Sequence, residues 1–211
     1  MTPHARHWLA TPSLGAWEGL LAARPDLATE PLLAGWAGRG WPVIQRRRHC
    51  DDPPDGVPLG LPLPPSHGKR RIAFSLPEAA LSNFMPPPRL CNCIAAAPAK
   101  WRAAIDALLA LDPQTRCFGG LAWQHLTGLP YLSSQSDLDL LWTAKPDLPA
   151  FLDQLRRIAA AAPMRIDGEI SGPGGAVQWR ELAEGAQMLA AKREDEVAVV
   201  PRDAWLAGLA A

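Results

Sequence analysis

Apolar positions recur at helical spacing in the second half of the chain and only in short, proline-broken runs in the first. Trp101, Ile105, Leu108 and Leu109 predict a helix over about 98–111, which Asp112-Pro113 stops. A short strand ending at Phe118, a turn at Gly119-Gly120, a helix over 121–127 and a strand over 137–142 follow. Asp147 is placed to cap a helix over 148–161, whose Phe151, Leu152, Leu155 and Ile158 share one face, and a strand spans 164–170. Further strands are predicted over 188–191 and 197–200, before a terminal helix from about Pro201 that buries Trp205 and Leu209.

Before residue 98 the texture differs. Pro53-Pro54, Pro58, Pro62, Pro64-Pro65 and Pro86-Pro87-Pro88 deny backbone donors and fix φ, which predicts short strands joined by stiff turns and no long helix. The pattern predicts strands over 41–47 and 70–76 and an amphipathic helix over 79–84. The fold class read from this order is α+β: a smaller proline-rich, strand-containing domain over 1–95, then a mixed-sheet domain over 96–211.

Composition narrows the functions. The chain has 211 residues, 48% of them hydrophobic and 20% charged, as expected of a folded domain pair, and its formal net charge is zero. A neutral balance gives no global attraction to nucleic acid or anionic membrane, so neither is expected as a partner and phosphate binding must be local. Without an apolar run of about 18 residues or an apolar leader at the N-terminus, a cytoplasmic location is expected. The cysteines Cys50, Cys91, Cys93 and Cys117 form no disulfide framework, and Cys91-Asn92-Cys93 lacks the second pair of a zinc site.

The densest chemistry lies in Ser136-Asp137-Leu138-Asp139-Leu140-Leu141-Trp142. On a strand, Asp137 and Asp139 project to one face, roughly 6 to 7 Å apart at their Cα atoms, while Leu138 and Leu140 enter the core. A divalent cation between two such carboxylates relieves their repulsion, and hard oxygen sites bind Mg²⁺ and, through it, phosphates. Gly119-Gly120, between a strand end and a helix, lets the backbone approach a phosphate and present its amides at the positive end of the helix dipole. A third carboxylate is expected from Asp167 or Glu169, which share a face opposite Ile166 and Ile170 with Gly168 leaving room between them; Asp167 is the first choice.

Gly-Gly, a helix, Asp-x-Asp between aliphatic residues and a later acidic strand resemble the nucleotidyltransferase superfamily of DNA polymerase β type. The longer phrases are similar to one branch, the holo-acyl-carrier-protein synthases of malonate decarboxylase, which are phosphoribosyl-dephospho-CoA transferases. These phrases are Phe118 to Leu132 running into Ser136 to Trp142, Asp167-Gly168-Glu169, Gly174-Gly175-Ala176-Val177 and Trp179-Arg180-Glu181-Leu182, with Arg6-His7-Trp8-Leu9 and the segment 58–62 matching more loosely. Two departures stand out: sixteen residues separate Gly120 from Asp137, and Gly120 replaces the serine common in relatives, leaving only a backbone amide.

The resemblance implies a donor, 2'-(5''-triphosphoribosyl)-3'-dephospho-CoA, and an acceptor, a serine of the acyl carrier protein subunit of malonate decarboxylase. It implies two Mg²⁺ ions, with Asp137, Asp139, Asp167 and Glu169 as metal ligands and Asp137, Asp139 and Asp167 as the catalytic acids. Gly119, Gly120, Ser136 and Lys192 are the candidates to bind the donor, Lys192 being placed either to neutralise the leaving diphosphate or simply at the surface, and the N-terminal domain would recognise donor or carrier. Outside these motifs, Arg46-Arg47-Arg48 and Lys69-Arg70-Arg71 are either phosphate or carrier contacts or solvated runs, and His125 reads as a packing or capping residue. The alternatives are a nucleotidyltransferase that uses an ordinary NTP and a non-catalytic binding module that has lost its metal.

Overall fold

A computed structural model describes residues 6–209, which fall into two compact units meeting between Pro86 and Pro87. The first unit is built on an antiparallel sheet of five strands in the order β4-β3-β2-β1-β5. The strands are β1 (Leu9–Pro12), β2 (Val43–Gln45), β3 (Gly56–Pro62), β4 (Arg71–Pro77) and β5 (Leu81–Met85). Strand β4 alternates as a half-covered strand should, with Ile72, Phe74 and Leu76 buried. Between β1 and β2 lie α1 (Leu14–Ala23), α2 (Pro25–Ala28) and α3 (Pro31–Ala34), the last two each begun by a proline at a position where its missing donor costs nothing. Trp17 edges onto the Phe74 ring and donates its indole N–H to the Leu33 carbonyl at 2.7 Å, so the helical segment is pinned to the sheet.

Two expectations for this half need correction. Residues 79–84 do not form a helix: a single 3₁₀ turn over Glu78–Ala80 leads directly into β5, which pairs with β1. The ten-residue α1 also runs against the expectation of no long helix; it starts cleanly because the Ser13 hydroxyl accepts from the Ala16 amide. Three of the six residues in the two basic runs are committed within this unit. Arg46 forks onto Asp52, Arg48 donates to the carbonyls of Pro53 and Gly56, and Arg70 reaches Glu30 at 3.2 Å.

The second unit holds a six-stranded mixed sheet in the order β11-β10-β9-β8-β7-β6. Its elements are α4 (Arg102–Leu111), β6 (Arg116–Phe118), α5 (Gly119–Thr127), β7 (Leu138–Thr143), α6 (Leu148–Ala161), β8 (Ile166–Gly172), β9 (Gly175–Gln178), α7 (Trp179–Ala183), β10 (Met188–Lys192), β11 (Val197–Pro201) and α8 (Arg202–Ala207). Every pairing is antiparallel except β7 with β8, the pair that α6 connects. Asp147 caps α6 by accepting from the Ala150 amide at 3.1 Å, and Phe151, Leu152 and Leu155 turn inward. Leu138, Leu140, Trp142, Ile166, Ile170, Val177, Leu189 and Ala191 form the buried side of the sheet. Gly168 is required there, because a Cβ at this position would meet the Leu140 carbonyl and stand 2.8 Å from the Trp142 ring. The segment 87–95, assigned by composition to the first domain, belongs to this second body: Leu90 and Cys93 are fully buried in its core.

Candidate active site

The face of this sheet opposite the core carries the acids. Alternation buries Leu138 and Leu140 and turns Asp139 the other way, and the parallel register sets Asp139 directly beside Asp167. Adjacent strands lie about 4.8 Å apart, so the two carboxylates are close neighbours on one surface. Asp137 stands one residue before β7, and Glu169 lies two residues beyond Asp167, level with Leu141.

Gly119 and Gly120 meet this acid pair at the start of α5. Phe118 ends β6 opposite Asp139, and the chain then turns into the helix through Gly119, whose φ of +65° favours glycine. The Asp139 side chain fills the space beside it, so that a Cβ on Gly119 would lie 2.7 Å from the carboxyl carbon. A carboxylate at the first turn of a helix meets the positive end of the dipole. Gly120 is covered by Leu132, whose methyl would stand 3.0 Å from an added Cβ. The loop that carries Leu132 is fixed by Gln124, whose side-chain oxygen accepts from the Tyr131 and Leu132 amides at 3.1 Å each.

Asp167 is held from its own strand and the next. Its Oδ1 accepts from the Gly168 amide at 2.9 Å and from the side-chain amide of Gln178 on β9. The strand start just before it is fixed by Trp179 and Arg180, which both donate to the Ile166 carbonyl, at 3.3 and 2.9 Å. Glu169 is buried and engaged: Lys192 donates to its Oε1 at 2.8 Å, with the glutamate side chain 6% exposed and the lysine 31%. Lys192 therefore stands on the acid face with its charge matched to Glu169. Ser136 has a local role, accepting from the Ser133 amide through its hydroxyl at 2.9 Å, and His125 is exposed in the last turn of α5.

Among the described residues, no three His, Cys, Asp or Glu side chains converge as a ready-made metal cage. The donor set nonetheless fits Mg²⁺, which is commonly held by one or two carboxylates together with substrate phosphates. Asp139 and Asp167 supply two carboxylates, and the Gln178 oxygen Oε1 is buried without a hydrogen-bond partner next to Asp167, a further hard oxygen. Nothing in the sequence singles out Gln178, Trp179 or Arg180 individually for the site. Of these, only the phrase Trp179-Arg180-Glu181-Leu182 carried a signal, and it carried it as part of a motif.

The C-terminal unit thus places an acid pair and a glycine-started helix on one open face of an α+β fold. Comparison with known proteins supplies the family. Residues 89–203 match the model of the phosphoribosyl-dephospho-CoA transferase MdcG C-terminal domain, and residues 2–87 match that of the MdcG N-terminal domain. The chain belongs to this family and is a transferase. A phosphoribosyl-dephospho-CoA transferase of Bradyrhizobium diazoefficiens is 41% identical over 98% of this chain and 94% of its own length. One from Xanthomonas campestris is 40% identical over 83% of this chain and 85% of its own length, and one from Pseudomonas aeruginosa 33% identical over 79% and 80%. No solved structure matches the chain.

Proposed function

We propose that this chain transfers the phosphoribosyl-dephospho-CoA group from 2'-(5''-triphosphoribosyl)-3'-dephospho-CoA to a serine of the malonate decarboxylase acyl carrier protein, releasing diphosphate. On this reading the second unit is a nucleotidyltransferase domain of the DNA polymerase β type, and the first unit serves recognition of donor or carrier. The observation that carries it is the in-register pair Asp139 and Asp167 facing the Gly119 start of α5. An acid pair beside the start of a helix suits a reaction in which a negatively charged phosphoryl group is held and attacked.

Asp139 and Asp167, with Asp137 beside them, are the residues that would hold Mg²⁺. When bound, the metal supplies charge neutralisation for the attacking and leaving oxygens. The residues of the chain do the rest. The first amides of α5, at the positive end of the helix dipole beside Asp139, would hold a phosphate oxygen. Asp167 has its Oδ1 fixed by Gln178 and Gly168, which leaves Oδ2 to take the proton of the carrier serine. The serine oxygen forms its bond to the α-phosphorus as the bond from that phosphorus to the diphosphate oxygen breaks. Lys192, paired with Glu169, lends positive charge to the same face as the diphosphate departs.

The test is intact-mass spectrometry of the apo carrier subunit after incubation with this protein, Mg²⁺ and the triphosphoribosyl donor. A gain equal to the phosphoribosyl-dephospho-CoA group, absent with Asp139→Asn and Asp167→Asn, is expected. No gain with a verified donor, together with modification by ATP or another NTP, would overturn the assignment in favour of an ordinary nucleotidyltransferase.

A further inference from the structure

The acid face has a positive edge that its chemistry has not yet used. Arg89 and Arg116 form an isolated antiparallel bridge, flanked by backbone hydrogen bonds from Leu90 to Thr115 at 2.8 Å and from Cys117 to Pro88 at 2.9 Å. Residues directly opposite one another in an antiparallel pair project to the same side. Arg116 in turn lies opposite Leu141, two residues along β6 from the Phe118–Asp139 pair, so both arginines stand on the side of the sheet that bears Asp139 and Asp167.

Like charges set opposite one another are destabilising, and most arginines of a folded surface avoid this or find an acid. Here neither is ion-paired with a carboxylate among the described residues. Arg116 is half-buried and fixed by a hydrogen bond of 2.6 Å from Nη1 to the Pro87 carbonyl, while Arg89 is exposed. Burial, and after it the charge of Arg89, pull the Arg116 guanidinium below its ordinary pKa, the direction expected of two cations held together with no anion between them.

We propose that Arg89 and Arg116 form a diphosphate-binding subsite at the edge of the active site, gripping the donor through planar, multi-donor contacts that a phosphate oxygen set matches. This rests on the donor reading given above. A donor of that kind offers two diphosphates: the portion of the triphosphate that leaves, and the bridge between the adenosine and pantetheine parts of dephospho-CoA. The oxygen chemistry is shared, and the two sources are separable with available probes.

Isothermal titration of the full chain in Mg²⁺ buffer with inorganic diphosphate, and separately with dephospho-CoA, tests it. In Arg89→Gln and Arg116→Gln, affinity for one of the two probes should fall about tenfold or more, and the probe affected names the source. Arg89 is exposed, so its variant tests the subsite even if Arg116→Gln folds poorly. Wild-type affinity for both probes in the Arg89 variant, or no binding of either by the wild type, overturns the subsite. So does a loss confined to the KM for the carrier protein, which would assign the pair to the carrier instead. The mass-shift experiment is scored separately: carrier modification at the wild-type rate in both variants removes the subsite and leaves the transferase reading intact.

Discussion

The carboxylate of Asp139 occupies the space that a side chain on Gly119 would require. An added Cβ would stand 2.7 Å from Cγ of Asp139, at a residue whose φ is +65°. Gly119→Ala therefore carries two penalties, a left-handed backbone strain of about 1 kcal/mol and displacement of the acid. The expected outcome is a transferase slowed by about a hundredfold or more in a protein that still melts cooperatively, because the acid is displaced from its working position. Thermal denaturation alongside the carrier-modification rate checks it. Gly120→Ala meets only a Leu132 methyl at 3.0 Å, a flexible neighbour, and should be far milder.

Gln178 positions Asp167 without being an acid itself. Gln178→Leu removes the hydrogen bond to Oδ1 and the buried amide oxygen together, and a loss of roughly 10–100-fold in kcat is expected, as for supporting residues around metal-binding carboxylates. The signature separating positioning from simple loss of fold is a raised Mg²⁺ requirement, measured as the metal concentration for half-maximal rate. An unchanged requirement with an unchanged rate would remove Gln178 from the site.

Lys192 and Glu169 are unequal partners. Lys192→Met takes the ammonium partner from a buried carboxylate and should cost about 2 kcal/mol, less than for a fully buried pair because the lysine is 31% exposed. Glu169→Gln leaves only a half-exposed cation and should cost less. The double variant should recover most of the difference in a urea titration. If the single variants simply add, the two side chains do not act as a pair.

Acid should weaken the first unit through Asp52. The Arg46 fork onto Asp52, outweighing burial and helped by the His49 amide, holds the Asp52 carboxyl well below the usual range. A carboxyl whose folded pKa lies below its unfolded one contributes stability that is complete above the unfolded value and lost as pH falls through the folded one. Asp52→Asn should therefore lower stability at neutral pH by about 2 kcal/mol and flatten the decline between roughly pH 5 and pH 2. Urea midpoints of wild type and variant across that range decide it; parallel curves would sink the idea.

Much of the second unit was legible because its signals are local. The alternation of Asp and Leu over 137–140, the Asp147 cap and the inward face of α6 each depend on neighbouring residues. The failures are of another kind. Residues 79–84 carry apolar positions that suit either period, and pairing with β1 decided for a strand. The Arg89–Arg116 bridge joins positions 27 apart, and the grip of Gln178 on Asp167 crosses from one strand to the next; no spacing along the chain announces either. The roles of the basic runs were equally hidden, since Asp52 and Glu30 claim Arg46 and Arg70 only after the sheet has formed.

The one parallel pairing in the second sheet sets a condition on when this enzyme can exist as an enzyme. Asp139 and Asp167 lie 28 positions apart, and no hairpin can bring β7 and β8 together; α6 must first fold back across the sheet. The carboxylate pair therefore depends on long-range order rather than on any single helix or turn. A chain released early or caught half-folded carries every acid of the site and none of their juxtaposition, so it would be no transferase at all.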